Sequence, residues 1–223
     1  INMVLDPPEF SDFDISSWKY ITYGGSPIDE VLLRRAREQL PKVSFMQIYG
    51  QTEGLPASLM FDADHSEAGF ASGRTRSAGT LPLGVGIKII NDNGVSLPRG
   101  EVGEICMRGP SLMKGYLNMP EQTAATLQDG WLHTGDAGYL SEDDFLYIVD
   151  RIKDMIISGG ENVYSAEVEN ALVSHESVQS CAVVGLPHAK WGEMVHADVV
   201  LMPGLSATEE TLIEHCREYI AGY

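Results

Sequence analysis

The pattern of apolar and turn-forming residues changes twice along the chain, and these changes constrain the fold more than any other feature. Residues 1–68 alternate strand-like and helix-like runs, whereas residues 69–150 consist of short β-type runs separated by Gly and Asn turns. Residues 151–223 return to a mixed order of strands and helices. We therefore predict a multidomain protein of α/β and α+β class, with a small β-barrel or strongly bent sheet in the middle.

The α/β segment contains two strand-like runs. They cover residues 18–23 and 43–48, and each is rich in aromatic or β-branched side chains. Glycines follow both runs. We expect Tyr49 and Gly50 to form the turn that ends the second strand.

A helical pattern lies between these strands. Ser26 is a residue type that caps helices, and Pro27 suits the first helical position. We therefore expect the helix to begin at Ser26 and to end before Pro41, where a proline cannot continue it. Three residues recur at helical spacing on its predicted buried face: Leu32, Ala36 and Leu40.

The middle segment reads as consecutive short strands. Residues 86–90 and 102–107 are strand-like, and residues 91–94 (NDNG) predict a tight hairpin turn after the first of them. Residues 120–127 predict a short helix, and the polar residues 141–144 separate two further strands.

The last segment reads as strand, helix, strand, strand, helix. We expect strands over residues 155–158, 178–184 and 196–202. Ser165 opens the first helix and Thr208 caps the second, whose apolar stripe is Leu212, Cys216 and Ile220. The boundary with the middle segment is predicted at residues 151–154.

The charge of the chain excludes some classes of partner. The formal net charge is −17, whereas phosphate contacts to nucleic acid need clustered Lys and Arg. No stretch approaches the roughly 20 apolar residues of a membrane-spanning helix. We therefore expect no nucleic acid partner and no integral membrane segment.

The three cysteines, Cys106, Cys181 and Cys216, are far apart and form no CxxC pair. No His or Cys cluster has the sequence spacing of a zinc site. Such sparse cysteines fit small core positions in a protein of the reducing cytoplasm. We therefore predict a cytoplasmic location.

Two glycine-containing segments follow the predicted strands of the α/β segment. In residues 23–27 (YGGSP), bare glycine backbone either forms a plain turn or lets a flat ligand lie against it. In residues 49–53 (YGQTE), a ring, a hydroxyl and a carboxylate occur together. These groups either complete a turn or serve adenine, a phosphate oxygen and Mg²⁺, which prefers oxygen ligands.

Two further segments carry charged groups at predicted strand ends. Residues 130–136 (GWLHTGD) place a carboxylate where it can accept both hydroxyls of a ribose, and His133 reads as a packed or surface histidine. Residues 150–164 (DRIKDMIISGGENVY) join dense charges, an apolar strand and a Gly-Gly loop. The composition of this segment alone predicts an interdomain linker.

The last three segments, in this order and at these separations, resemble the adenylate-forming superfamily. It includes acyl- and aryl-CoA synthetases, firefly luciferase and peptide-synthetase adenylation domains. The resemblance runs from Tyr23 to about Met202, and the ungapped SGGENVY loop is most like an acyl-CoA synthetase. It implies an enzyme that activates a carboxylic acid, such as a fatty acid, as an acyl-adenylate and passes the acyl group to coenzyme A.

The resemblance also implies residue roles. Thr52 and Glu53 are expected to be catalytic, Thr52 at the α-phosphate of ATP and Glu53 as the Mg²⁺ ligand. Lys153 is expected to be the hinge before a mobile carboxyl-terminal domain. The expected nucleotide-binding and CoA-binding residues are Gly24, Gly25, Ser26, Tyr49, Gly50, Asp136, Arg151, Gly159 and Gly160. Of these, Tyr49 packs on adenine, Asp136 and Arg151 serve the ribose, and the last two glycines line the pantetheine channel.

Two parts of the superfamily pattern do not occur in this sequence. They are a Ser/Thr/Gly-rich phosphate loop, expected upstream of Tyr23, and a catalytic lysine, expected beyond Tyr223. We therefore expect the chain to be the carboxyl-terminal portion of a longer enzyme and inactive alone. Residues 77–80 are expected to border the acyl pocket.

Two other functions compete with a CoA ligase at this level. One is an adenylation enzyme that loads an amino or aryl acid onto a carrier protein, and the other is a non-catalytic nucleotide-binding module. The expected partners of the first reading are a small carboxylic acid, ATP, which leaves as AMP, and CoA. A homodimer agrees with base rates alone.

Overall fold

The computed structural model describes residues 1–7, 10, 12–26 and 28–221, so Pro27 lies outside the described residues. The chain divides into two compact units. The first comprises Ile1–Thr134 and Gly138–Ile148, and the second comprises Gly135–Ala137 and Val149–Tyr223. The predicted class of mixed α/β and α+β structure is confirmed, while the division into three domains at residues 68 and 150 remains a proposal.

The first unit begins with a short helix, α1 (Asn2–Leu5), and a three-stranded sheet. Strands β1 (Tyr20–Gly24) and β2 (Ser44–Gln51) are parallel, and helix α2 (Glu30–Gln39) connects them. Strand β3 (Gly54–Met60) is antiparallel to β2. This strand–helix–strand unit brings the carboxyl ends of β1 and β2 to one edge of the sheet, where α/β proteins commonly bind ligands.

The start of α2 differs from the prediction. Asp29, not Ser26, is the N-cap, because the Asp29 carboxylate accepts hydrogen bonds from Val31 N at 2.5 Å and Leu32 N at 3.2 Å. A carboxylate at this end also suits the helix dipole. The helix buries Leu33 and Ala36, so Leu33 takes the buried position that was expected for Leu32. The prediction that Ser26 caps this helix was wrong.

The turn after β2 also differs from the prediction. Tyr49 and Gly50 lie inside β2, and the hairpin turn is formed by Thr52 and Glu53, because Gln51 pairs with Gly54. A register shift falls at Gly50. A β-carbon there would stand 2.7 Å from Gly54 O, so this irregular pairing requires glycine.

The rest of the first unit contains a helix that the sequence pattern did not predict, α3 (Glu67–Ser72), and most of a five-stranded sheet. The strands of this sheet are β4 (Gly86–Ile90), β5 (Gly103–Arg108), β6 (Leu127–Gln128), β7 (Trp131–Leu140) and β8 (Leu146–Arg151), and helix α4 (Pro120–Thr126) precedes β6. Strand β7 pairs with β5, β6 and β8, and β4 pairs with β5. The predicted turn at residues 91–94 is present, since Gly94 N donates to Asn91 O. This sheet corresponds to the short strands that the sequence predicts for the middle segment.

The second unit is a four-stranded sheet in the order β10-β9-β12-β11, with two helices packed against it. Its elements are β9 (Ile156–Ser158), β10 (Glu161–Val163), α5 (Ser165–Val173), β11 (Val178–His188), β12 (Gly192–Leu201) and α6 (Glu209–Tyr219). Thr208 caps α6 as predicted, and the stripe Leu212, Cys216 and Ile220 packs on the core. Strand β10 was not predicted, because two of its three residues, Glu161 and Asn162, are polar and directly follow the Gly-Gly turn.

Candidate active site

The loop after β1 and the end of β2 lie side by side. Gly24 pairs with Ile48, and a β-carbon on Gly24 would overlap the carbonyl oxygen of Ile48. Gly25 has a φ of 86°, which L side chains rarely adopt, and Gly24, Gly25 and Ser26 are exposed. The two glycines therefore keep bare, accessible backbone next to the strand that carries Tyr49.

Tyr49 is partly buried in the sheet region of the first unit. Its side chain packs against two small cores, one with Met107 and Leu132, and one with Ile105 and Leu146. A ring held this way has few alternative rotamers. It offers a fixed apolar surface rather than a mobile one.

Glu53 is held by a contact that the sequence did not predict. Tyr116 Oη donates to Glu53 Oε1 at 2.8 Å, and the main-chain oxygen of Glu53 accepts from Met113 N at 2.7 Å. The hydrogen bond to Glu53 raises the pKa of Tyr116. Tyr116 lies 63 residues further along the chain, so only the folded structure identifies it as the partner.

The neighbouring turn residues differ in their surroundings. Thr52 is exposed at the tip of the hairpin. Gln51 Nε2 donates to Thr134 O at 3.3 Å, which ties the hairpin to β7. The hairpin therefore presents an open hydroxyl next to a carboxylate that is already oriented.

In the second unit, Asp136 and Arg151 form a pair. Arg151 Nε lies 3.6 Å from Asp136 Oδ1, and the Asp136 side chain is 15% exposed whereas that of Arg151 is 63% exposed. Asp136 makes further interactions. A mostly buried carboxylate beside an exposed guanidinium can accept hydrogen bonds from a polyhydroxyl ligand without losing its balancing charge.

Lys153 lies in a short 3₁₀ turn, Ile152–Asp154, directly after β8. Its side chain is exposed, and Met155 N donates to Arg151 O across the turn. The neighbouring Asp150 has a structural task, because its Oδ2 accepts from Ser165 Oγ at 2.9 Å and Ala166 N at 3.2 Å at the start of α5.

Gly159 and Gly160 form the tight turn between β9 and β10, with φ values of 63° and 90°. Gly159 N donates to Trp191 O, and a β-carbon on Gly159 would stand 3.1 Å from Trp191 Cε3. Trp191 therefore packs against this turn. Glu193 supports the same strand, since its Oε2 accepts from Ile157 N at 2.7 Å.

The expected site residues therefore fall into three groups. The first group lies at one edge of the first unit's parallel strands and comprises Gly24, Gly25, Ser26, Tyr49, Gly50, Thr52 and Glu53. The second group is the pair of Asp136 and Arg151 in the second unit. The third group is the turn of Gly159 and Gly160, which packs against Trp191. Residues 77–80 are packed between β3 and β8, where Ala78 N donates to Leu146 O and Leu59 pairs with Thr80. Their expected place beside an acyl pocket remains a prediction.

The comparisons with known proteins identify the family of the chain. The sequence profile of AMP-binding enzymes matches residues 1–117, and that of the AMP-binding enzyme C-terminal domain matches residues 167–223. The first match covers more than half of the chain, and the chain belongs to the family of AMP-binding enzymes. The predicted membership of the adenylate-forming enzymes is therefore confirmed.

Among the relatives, the fatty acid–[acyl-carrier-protein] ligase ScoC of Streptomyces coeruleorubidus is 45% identical over 92% of this chain and 39% of its own length. Amide bond synthetase McbA of Marinactinospora thermotolerans superposes with a TM-score of 0.86 at 37% identity, over 97% of this chain and 43% of its own. o-Succinylbenzoate coenzyme A synthetase (MenE) of Bacillus subtilis, in complex with ATP and magnesium ion, superposes with a TM-score of 0.82 at 38% identity, over 100% of this chain and 44% of its own. The chain thus spans about two fifths of the length of these proteins.

No helix in the described part of the chain is long and apolar enough to cross a membrane.

Proposed function

We propose that the protein is an ATP-dependent acid–CoA ligase. It joins a carboxylic acid to the α-phosphate of ATP, which releases pyrophosphate, and the thiol of coenzyme A then displaces AMP. The observation that carries the proposal is the common edge of β1 and β2, where the Gly24–Gly25 backbone lies beside the strand that carries Tyr49. In a member of the AMP-binding enzymes, an open glycine loop beside a fixed ring suits a purine.

The proposal gives the first unit's residues distinct tasks. Tyr49 packs on adenine. The other side of the base is lined by Gly24, Gly25 and Ser26, and Gly50 allows the irregular strand pairing next to the ring. Thr52 donates its hydroxyl to the α-phosphate. The physical problem is the approach of one anion to another, and fixed donors lower that barrier.

The carboxylate of Glu53 fits a magnesium ion. Mg²⁺ prefers oxygen ligands and commonly binds one or two carboxylates plus phosphate oxygens. The Tyr116 hydroxyl orients this carboxylate from one side. When bound, the ion would neutralise phosphate charge. A chain with a net charge of −17 has particular need of such neutralisation where it binds a polyphosphate.

The sugar and thiol contacts are proposed for four other residues. Asp136 accepts the ribose hydroxyls, with Arg151 as its balancing charge. Gly159 and Gly160 line the path of the pantetheine arm, because their turn presents backbone without side chains. We propose the reducing cytoplasm as its location, in keeping with three free cysteines.

A second acceptor is favoured by one observation. ScoC, which is 45% identical to this chain, is named for transfer of a fatty acid to acyl carrier protein. The same residues would serve adenylation in either case, and only the thiol that ends the reaction would differ. A fatty acid is the acid that we propose for both.

Assays of the full-length protein separate the two acceptors. Fatty acid and ATP are supplied with either coenzyme A or acyl carrier protein, and thioester products are quantified by mass spectrometry. We expect acyl-CoA. Thioester on the carrier protein alone would overturn the CoA assignment, and no AMP release with any acid would overturn the ligase assignment.

The ribose role has its own test in the full-length protein. Asp136→Ala should lower kcat/KM for ATP by about tenfold to a hundredfold, because a hydrogen bond to a charged group is worth about 1.5–3 kcal/mol. Asp92→Ala, in the exposed turn after β4, is the matched control and should leave the kinetics unchanged. Unchanged ATP kinetics in Asp136→Ala would refute the ribose contact.

A further inference from the structure

One face of the five-stranded sheet carries a cluster of three side chains that the proposed reaction does not use. Glu104 and Cys106 are two residues apart on β5, so both point to the same face. His133 lies on β7, the neighbouring strand. Thr134 Oγ1 donates to Ile105 O at 2.7 Å, which holds the two strands in this register.

The three side chains are already in contact. His133 Nδ1 lies 2.8 Å from Glu104 Oε2 and 3.8 Å from Cys106 Sγ, and the three ligand atoms all lie within 4.8 Å of one another. Cys106 is fully buried, while the side chains of His133 and Glu104 are 21% and 22% exposed. The thiol thus forms the floor of a small site that opens to solvent past the other two groups.

We propose that Glu104, Cys106 and His133 bind a divalent zinc-type cation. Tetrahedral zinc with bonds of about 2.0–2.3 Å to N, O and S places its ligand atoms about 3.4–3.6 Å apart. The observed N···S separation is close to this value, and the N···O separation needs to open by roughly half an ångström, a shift within the reach of side-chain rotation at partly exposed positions. Three protein ligands leave the fourth position to water or a solute.

The ligand set selects the metal. A thiolate and an imidazole favour Zn²⁺ and related transition metals, whereas Mg²⁺ prefers oxygen ligands. Binding replaces the thiol proton of Cys106, which leaves for solvent, and the ring proton of His133 moves to Nε2. The site therefore differs in chemistry from the oxygen site proposed at Glu53, and the two can be distinguished by the metal supplied.

Two positive side chains near the cluster contact a tryptophan ring. Lys88 pairs with Cys106 across the strands, and its Nζ lies 4.7 Å from the ring centroid of Trp131, with the Arg108 guanidinium 4.8 Å from the same centroid. Cation–π contacts hold both charges at the tryptophan. The carboxylate and thiolate together balance the two charges of the ion.

Cobalt(II) tests the site directly, because thiolate-bound Co²⁺ absorbs strongly in the near ultraviolet. The protein is titrated with Co²⁺ in excess Mg²⁺, which occupies the oxygen-only sites of this acidic chain. We expect a thiolate band that saturates at one equivalent and that added Zn²⁺ removes. Absence of the band would overturn the proposal.

Variants assign the band to this cluster. Cys106→Ser should abolish it, whereas Cys216→Ser, at a partly buried position of the second unit, should retain it. Glu104→Gln keeps the thiol and should weaken Co²⁺ binding by about tenfold or more, as loss of even an outer-shell partner does. If circular dichroism shows that Cys106→Ser is misfolded, Glu104→Gln still tests the proposal. A band that survives in Cys106→Ser, or unchanged affinity in Glu104→Gln, would overturn the proposal.

Discussion

His65 is completely buried in the first unit, and both of its ring nitrogens are engaged. Nδ1 lies 2.8 Å from Phe61 O, which can only accept, so Nδ1 carries the proton. Nε2 therefore accepts from Tyr23 Oη at 2.7 Å. Burial lowers the pKa of His65, and burial raises the pKa of Tyr23. The pair is neutral in the folded state.

This pair predicts an acid-sensitive first unit. In the unfolded chain His65 takes up a proton near its ordinary pKa of 6.5, whereas in the folded state it does so only at lower pH. Its contribution to stability is therefore complete above about pH 6.5 and is lost as the pH falls towards the lowered value. We expect the urea concentration at the unfolding midpoint, measured by circular dichroism, to be lower at pH 5 than at pH 7.5. The reason is that the unfolded chain binds the proton at His65 more readily than the folded chain does.

Two variants isolate the contribution of His65. His65→Gln should remove part of this pH dependence, because glutamine does not titrate. His196→Gln, at a position with a 43% exposed side chain, is the matched control and should retain all of it. Identical pH profiles for His65→Gln and the wild type would contradict the linkage.

At the scale of elements, helix α5 begins with help from a distant residue. Its N-cap, Tyr164, has no side chain that can cap, and Asp150, which lies 15 residues before Ser165, supplies the carboxylate instead. Asp150 satisfies Ala166 N, one of the donors that every helix start leaves unpaired. The charge also suits the positive end of the helix.

Loss of this cap should destabilise the second unit. Asp150→Ala is expected to cost about 0.5–2 kcal/mol, the range for removal of a capping side chain. Amide hydrogen exchange of the first turn of α5 should accelerate together with a lower urea midpoint. Asp154→Ala, an exposed carboxylate four residues away, should change neither, and equal effects of the two variants would argue against the cap.

Elements with long, regular patterns were predicted, whereas irregular joins were not. Helix α6 and its cap Thr208 are as expected, because helical spacing and a capping residue occur together in sequence. The start of α2 was misplaced because Ser26 and Asp29 are both capping residue types and only packing of Leu33 and Ala36 selects between them. The same holds for the β2–β3 turn, which depends on the irregular pairing at Gly50.

At the scale of the whole molecule, the proposed reaction has two half-reactions that need different surroundings. Lys153 lies in the turn that follows β8, and we propose that this turn is the hinge. Proline fixes φ and also restricts the residue before it. A proline at this position would remove backbone freedom from the turn without touching the residues proposed to bind ATP.

Lys153→Pro in the full-length protein should therefore spare acyl-adenylate formation and slow thioester formation. Pyrophosphate release measures the first step, and acyl-CoA yield in a single turnover measures the second. Lys153→Ala removes the same side chain and keeps backbone freedom, so it should behave as the wild type. Equal loss of both steps in Lys153→Pro would argue that this turn is not a hinge.

The sequence alone determined the family, the fold class and the elements with long, regular patterns such as α6, and it supplied the candidate nucleotide residues. Local patterns carry this information: strand and helix periods, turn glycines and short segments such as residues 49–53 and 130–136. These features depend on neighbours in the chain, and they therefore survive without knowledge of the fold.

Only the tertiary structure decided which distant groups meet. It paired Tyr116 with Glu53, Asp150 with the start of α5, and His133 with Glu104 and Cys106. Such contacts depend on strand register and on side-chain direction across a sheet, and a shift of one residue would turn each side chain to the opposite face. No local spacing encodes that register, because it is set by the packing of the two faces.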